Sequence, residues 1–301
     1  MKVLITGTQG FIGSNLWKHF DDPLVLNENF FLEPDWSSLL HNALNGHSPD
    51  AVFHVGACSN TLEADVNYIM NLNFQCTKIL TDWCKRGGKP IIYSSSAASY
   101  GTNGHYPSNL YGWSKYVAEQ YVISNGGLAL RYFNVYGPGE EHKGRMASMA
   151  YQMMKAGSAK LFPGEPKRDF IYVDDVIFAN LHALAHYEVL SGKKYDVGLG
   201  EAHSFEYIAD VLNIPYTYHD SSAIPEGYQF YTCSDPRNWM PGWAPQYSLK
   251  TALKLCKTYW QKLQESQENG QCLLEDGNLG TKDTDGSSIK PLMRIKKCSS
   301  A

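Results

Sequence analysis

The sequence has little that would suit it to nucleic acid, a membrane or an oxidised compartment. It carries 26 Lys and Arg against 30 Asp and Glu, for a net charge of −4, with no basic block. That balance argues against nucleic acid as the main partner. Seven cysteines stand at 58, 76, 84, 233, 256, 272 and 298, with no CxxC and no Cys/His ligand spacing. An odd, scattered set fits reduced thiols and points to neither a disulfide framework nor a metal site. No stretch is long and apolar enough to span a membrane, and the opening "MKVLITGTQG" reaches its glycines too soon for a signal peptide. There is no internal repeat. The expectation is a globular cytoplasmic protein, long enough at 301 residues to bury a sizeable core.

What is present is an alternation. Short apolar runs, "KVLIT" (2–6), "LVL" (24–26), "AVFHVGA" (51–57), "PIIYSSSA" (90–97), "LALRYFNVYG" (128–137) and "KKYDVGLG" (193–200), read as strands. Helical patterns follow several of them: one from Ser14, "YIMNLNFQCTKILTDWCKR" (68–86), and the segment after "NLYGWSK". Continuous apolar strands alternating with helices predict an α/β fold, a Rossmann-type doubly wound parallel sheet. A smaller C-terminal substrate-binding domain is expected beside it. The boundaries read as 1–137 for the dinucleotide-binding domain, with 169–200 returning to it, and 138–168 plus 201–263 for the substrate part. The stretch after the second strand is short for a crossover, so one helix there is expected to be missing. Residues 264–301, rich in Gly, Ser and Asp, read as a disordered tail after a last helix at 251–264.

Three segments carry chemistry. "TGTQGFIG" (6–13) lies between a strand and a helix, with Gly7, Gly10 and Gly13 around Phe11 and Ile12. Glycines there let backbone N–H groups approach a pyrophosphate at a helix N-terminus. At the end of the second strand, where a dinucleotide's ribose is read, stand Asn27 and Glu28 with no Lys or Arg close behind. An acid without a cation suits a free 2′-hydroxyl, so the cofactor is NAD or NADP, with NAD favoured. "NLYGWSKYVAEQ" (109–120) places Tyr111 and Lys115 one helical turn apart, downstream of the serine-rich strand end "YSSSAASYG". Tyrosine is a poor base near neutrality. A lysine one turn away, together with the positive nicotinamide ring, is expected to lower its pKa, and a serine hydroxyl to hold the reacting oxygen, which together make a hydride-transfer site.

These stretches, with "RYFNVYGPG" and "RDFIYVDDV", resemble the extended short-chain dehydrogenase/reductase family of nucleotide-sugar enzymes over residues 1 to about 263. "FHVGACSNTLEADVNYIMN" (53–71) and "RYFNVYGPGEEHKGRMASMA" (131–150) resemble its ADP-heptose 6-epimerases in particular. The resemblance implies a nucleotide-sugar substrate, a homo-oligomer, and inversion of a carbinol centre by transient oxidation and hydride return. It implies Ser96 and Tyr111 as catalytic residues, and Lys115 as holder of the cofactor ribose. Lys143, otherwise a solvated loop charge, becomes a second acid/base. Val55, Gly56, Ala57, Cys58, Ser59 and Asn73 would lie along the cofactor, with Cys58 a small wall residue. Asn134, Arg145, Gln152, Phe162, Pro163, Gly164, Glu165, Arg168 and Tyr228 would line the nucleotide-sugar site. Arg168 also suits a diphosphate on physical grounds, against the alternative of an ion pair with Asp169 or Asp174.

The sequence departs from that pattern in places. The tract from Tyr100 to Tyr111 is short, Leu72 stands where an Asn is usual, and Gly227 replaces an Arg. A 4-epimerase or keto-sugar reductase is the nearest alternative. Ala97 and Ala98 after Ser96 speak against a dehydratase, which wants acids there. A catalytically silent dinucleotide sensor is the alternative of another class, and retention of Ser96, Tyr111 and Lys115 counts against it.

Overall fold

The computed structural model describes residues 1–26, 31, 33–102, 104–225 and 228–268. The chain begins with β1 (Val3–Thr6), α1 (Phe11–Trp17), β2 (Leu24–Leu26), α2 (Trp36–His47) and β3 (Ala51–His54). Helix α3 (Val66–Met70) runs through a π-turn at Asn71–Gln75 into α4 (Cys76–Gly87). Then come β4 (Ile91–Ser96), α5 (Leu110–Ser124), β5 (Leu128–Tyr132), β6 (Asn134–Tyr136), α6 (Met149–Ala156), β7 (Ala159–Leu161) and β8 (Lys167–Tyr172). The last elements are α7 (Val173–Ala185), α8 (Tyr187–Leu190), β9 (Lys194–Val197), β10 (Ala202–Ser204), α9 (Phe205–Leu212), β11 (Tyr216–Tyr218) and α10 (Leu249–Glu268).

Six strands form one parallel sheet in the order β2-β1-β3-β4-β5-β9. Both faces are covered, as the continuous apolar strands require. Alternation along β1 shows it: Val3 and Ile5 share a core with Leu16 of α1 and Val176 of α7, while Leu4 joins Leu40 and Leu44 of α2 and Leu80 of α4. The chain leaves β1 toward β2 on one side and returns to β3 on the other. This reversal opens a crevice at the carboxyl ends of β1 and β3, where open α/β sheets bind ligands. The remaining strands make two small sheets, β10-β8-β6 and β11-β7.

The structure corrects four expectations. The crossover helix after β2 is present as α2, with Leu40 and Leu44 one turn apart and fully buried; each contributes about 2 kcal/mol of apolar burial. Helix α1 starts at Phe11, three residues before Ser14, because Gly10 already takes the extended cap conformation. The run 128–137 is two strands: β5 stays in the main sheet, and after Phe133 the chain switches to the β10-β8-β6 sheet as β6. Helix α10 reaches Glu268, past the expected start of the tail at 264. Residues 269–301 lie outside the described residues, as do Asn27, Glu28 and Gly227.

Candidate active site

The loop after β1 is built from backbone against backbone. Gly7 has φ of +73°, and a Cβ on it would sit 2.6 Å from the Gly56 Cα. A Cβ on Gly13 would sit 2.0 Å from the Gly7 carbonyl oxygen. The Gly10 N–H donates to that same oxygen at 3.0 Å. Side chains are excluded at Gly7, Gly13 and Gly56, so at these three positions only main chain can meet what enters. This interlock fits a dinucleotide pyrophosphate at the N-terminus of α1.

Beyond the loop lies a cleft of about 370 Å³. Phe11 and Ile12 line it from α1, Val55, Ala57 and Ser59 from the segment after β3, and Asn134 from the start of β6. Ser96, Tyr111, Lys115 and Lys143 line it as well. Asn109 caps α5 by accepting from the Gly112 N–H at 2.8 Å, which starts the helix just ahead of Tyr111. Ser96 lies beside Tyr111 in this cleft, where its hydroxyl favours the ionised phenol. Lys115 is buried, donates from Nζ to the Ser94 carbonyl at 2.8 Å, and lies 5.1 Å from the centre of the Tyr93 ring.

The electrostatics differ from expectation. Burial pushes the Tyr111 phenol above its ordinary value, and the Ser96 hydroxyl pulls the other way. Lys115 is itself held down to about 7 by burial. Desolvation disfavours the charged form of both groups, so the protein groups alone leave the phenol high; the expected lowering rested on Lys115 together with the nicotinamide ring. Lys143 was readable from its residues only as a solvated charge. It is half-buried, its Nζ lies 5.3 Å from the centre of the Phe11 ring, and burial lowers its pKa against the raising effect of Glu140.

Other candidates take different positions. Asn73 is fully buried and serves as a clamp, its Oδ1 accepting from the Cys58 N–H at 2.7 Å and its Nδ2 donating to the Cys58 carbonyl at 3.0 Å. Burial raises the Cys58 thiol, which agrees with a wall residue. Arg145 is exposed and off the cleft; Gln152 donates to the Arg145 and Ala147 carbonyls at 3.3 and 2.6 Å, bracing that turn. Phe162 and Tyr228 pack edge to face at 5.1 Å, with Pro163, Gly164 and Glu165 on the turn that follows. Arg168 is buried beside them, 5.4 Å from the Tyr228 ring and 5.8 Å from Phe205, which itself lines the cleft. Its guanidinium donates to the Lys167 and Gln229 carbonyls. The alternative ion pair with Asp169 is absent, since that carboxylate accepts from the Leu199, Gly200 and Ser234 N–H groups and the Ser234 hydroxyl.

Sequence reading missed the support behind the cleft. Glu119 is fully buried and holds Arg131 through two 2.7 Å bonds, and it accepts from the Ser95 hydroxyl at 2.7 Å. Glu140, also fully buried, ties the turn that carries Lys143 by accepting from the Gly137 N–H at 3.0 Å and the Ser148 hydroxyl at 2.8 Å. Charged residues at such spacings read as surface in a sequence. The "SSS" run was the one visible signal.

A family model described as the NAD dependent epimerase/dehydratase family matches residues 3–198. The chain belongs to this family. An ADP-L-glycero-D-manno-heptose-6-epimerase of Alkalilimnicola ehrlichii is 35% identical, over 77% of this chain and 88% of the relative. The crystal structure of the Helicobacter pylori ADP-L-glycero-D-manno-heptose-6-epimerase matches with a TM-score of 0.73 and 27% identity, over 86% of this chain and 96% of that one. The UDP-glucose 4-epimerase of Thermotoga maritima, solved with UDP-glucose, shares the fold at a TM-score of 0.75 and 23% identity, over 88% of this chain and 100% of that one. As an NAD dependent epimerase/dehydratase the chain is an enzyme with a nicotinamide cofactor. The family resemblance and the Rossmann-type fold expected from its motifs are borne out.

Proposed function

We propose that this epimerase/dehydratase inverts C6 of an ADP-heptose, interconverting the D-glycero and L-glycero forms. The observation that carries this reading is that Tyr111 on α5 and Lys143 on the turn after β6 line one cleft. Inversion through a ketone presents the substrate oxygen in two orientations, and each needs its own proton-transfer group. Tyr111 exchanges the proton in one orientation, with Ser96 hydrogen-bonded to the same oxygen. Lys143 exchanges it in the other. When bound, the nicotinamide takes up and returns the reducing equivalent, so none is consumed.

The glycines at 7, 10 and 13 would hold the pyrophosphate of the cofactor, and Lys115 its nicotinamide ribose. Gly56, Ala57, Cys58 and Ser59 would run beside it. NAD is favoured over NADP by Asn27 and Glu28. Arg168, Phe162 and Tyr228 would receive the substrate's diphosphate and base, with Asn134 on the sugar. Residues 1–137 and 169–200 would form the cofactor half, and 138–168 with 201–263 the substrate half. Among the described residues no helix is long and apolar enough to cross a membrane. We place the enzyme in the cytoplasm as a homo-oligomer.

The test is product analysis. Each C6 epimer of ADP-glycero-manno-heptose is incubated with enzyme and NAD, and the two are resolved by chromatography. Convergence on one mixture from either side, without net NADH, is expected. No interconversion by folded, NAD-bound protein would overturn the substrate assignment.

A further inference from the structure

The last residue of β3, just before the cofactor segment, is a buried histidine: His54 is 1% exposed. Its Nδ1 lies 2.8 Å from Thr6 Oγ1 and its Nε2 lies 2.8 Å from Thr77 Oγ1. The direction of every proton in this chain follows from counting. The Thr77 hydroxyl donates to the Asn73 carbonyl at 2.7 Å, so its one proton is used and it accepts from His54. Nε2 therefore carries a hydrogen. Thr6 Oγ1 accepts from the Gly56 N–H at 2.9 Å. Were Nδ1 protonated too, the buried Thr6 hydroxyl would have no acceptor among its bonds; donating to Nδ1 satisfies it. His54 is thus neutral in the Nε2–H form, and burial holds its pKa down to about 3.

The chain of bonds continues to the catalytic helix. Asn73, whose carbonyl ends the threonine link, donates from its side chain to Ser114 Oγ at 2.9 Å, and that hydroxyl donates to the Tyr111 carbonyl at 2.7 Å. The same Asn73 side chain grips both backbone groups of Cys58. Thr6 ends β1, Gly56 and Cys58 flank the cleft-lining Ala57, and Tyr111 faces the cleft from α5. Four pieces of chain meet at the site through one set of hydrogen bonds. An apolar side chain at 54 would fill the space but leave Thr6 and Thr77 unlinked. Fully satisfied buried networks fix one arrangement among several that packing alone would allow.

We propose that His54 is a positioning residue: as the Nε2–H tautomer bridging Thr6 and Thr77, it sets the segment Gly56–Ser59 and helix α5 in register with the glycine loop, and so forms the cofactor bed. The proposal needs only the dinucleotide site of the family and is independent of which sugar is turned over.

The test combines a spectrum with an affinity. In ¹⁵N-histidine-labelled protein, His54 is expected to show the Nε2–H tautomer signature, unchanged from pH 5 to 9. Thr77→Val keeps the shape and removes the acceptor for Nε2–H. It leaves the Nε2–H without an acceptor while Thr6 still donates to Nδ1, and is expected to weaken NAD binding about tenfold, as loss of one buried hydrogen bond would. Thr81→Val is the matched control: its hydroxyl donates to the Thr77 carbonyl at 2.7 Å, one turn on, with no bond to the ring. It should lower the Tm and leave NAD affinity and the His54 signature as they were. An Nδ1–H signature in the wild-type protein would overturn the assignment, whether or not the variants fold. NAD affinity in Thr77→Val within twofold of wild type, or an equal loss in Thr81→Val, would reduce the network to ordinary core packing. Neither readout uses a sugar substrate, so failure here and failure of the epimerase reading are separable.

Discussion

Substituting alanine at Gly13 tests the cofactor loop with one added methyl group. The new Cβ would stand 2.0 Å from the Gly7 oxygen, 2.6 Å from its carbonyl carbon and 3.1 Å from the Thr8 nitrogen, all main chain. Gly7 has no room to retreat, since a point one bond length out from its own Cα already lies 2.6 Å from the Gly56 Cα. Relief therefore means moving α1 away by roughly 1.4 Å to recover ordinary contact. That is more than a hydrogen bond tolerates, so the N–H groups at the start of α1 lose the pyrophosphate. We expect NAD affinity to fall about 100-fold, which corresponds to ~2.7 kcal/mol, with a further ~1–3 kcal/mol lost from stability by overpacking. Gly46→Ala is the counterpart. Gly46 is exposed in α2 with nothing within 4 Å of a new Cβ. Alanine there should stabilise by about 0.5–1 kcal/mol and raise the Tm by about 2 °C, with NAD binding unchanged. Calorimetric titration with NAD and thermal unfolding read both effects. Gly13→Ala binding NAD within threefold of wild type would refute the interlock.

The remaining predictions concern charge and proton transfer. Tyr111→Phe keeps the ring and removes the hydroxyl; turnover should fall by about 10³ with NAD affinity unchanged, and wild-type turnover would sink the assigned role. Glu140→Gln removes the charge that raises the pKa of Lys143 against burial. Lys143 should then lose its proton at lower pH, moving the alkaline limb of the turnover profile downward; an unmoved limb would separate Glu140 from Lys143. Asp174 and Asp175 are both raised by burial to about 6 from an ordinary value near 3.8. Their protonated forms are favoured in the folded state, so their contribution is fully present below pH ~4 and is lost as pH rises through about 6. Asp174→Asn should therefore gain about 1–3 kcal/mol at pH 8 and almost nothing at pH 4. Denaturant unfolding at the two pH values checks the difference, and equal effects at both would contradict it.

Much of the site was legible because its parts are local. The glycine loop between a strand and a helix, and Tyr111 one turn before Lys115, are patterns a few residues long. What was not legible depends on distant partners. The apolar run 128–137 looks the same whether a strand continues or switches sheets at Phe133, because both outcomes bury it. Helix α2 was not expected because the stretch after the second strand is short for a crossover, although Trp36, Leu39, Leu40, Ala43 and Leu44 fall at helical spacing, with Leu40 and Leu44 buried. Arg168 was weighed against a neighbouring acid, but its partners are carbonyls and aromatic rings brought from residues 205–229. Glu119 and Arg131 find each other only when α5 packs on β5. The nearness of Tyr111 to a lysine is visible in the sequence, whereas the burial that raises the phenol and lowers Lys115 is not.

The π-turn at Asn71–Gln75 has a bearing on how this protein can change. A π-turn holds one residue more than the α-turn it replaces. Removing a single residue between 71 and 75 would restore an unbroken helix from α3 to α4 without shortening any loop. Because the π-turn absorbs its extra residue locally, the buried faces of α3 and α4 would keep their register. What would change is the bulge itself, and with it the place of Asn73, which lies inside it and holds Cys58 and Ser114. A one-residue deletion that looks harmless in an alignment of helices would thus disconnect the cofactor segment from the catalytic helix. Lineages carrying that deletion should be found only where the chemistry has been lost.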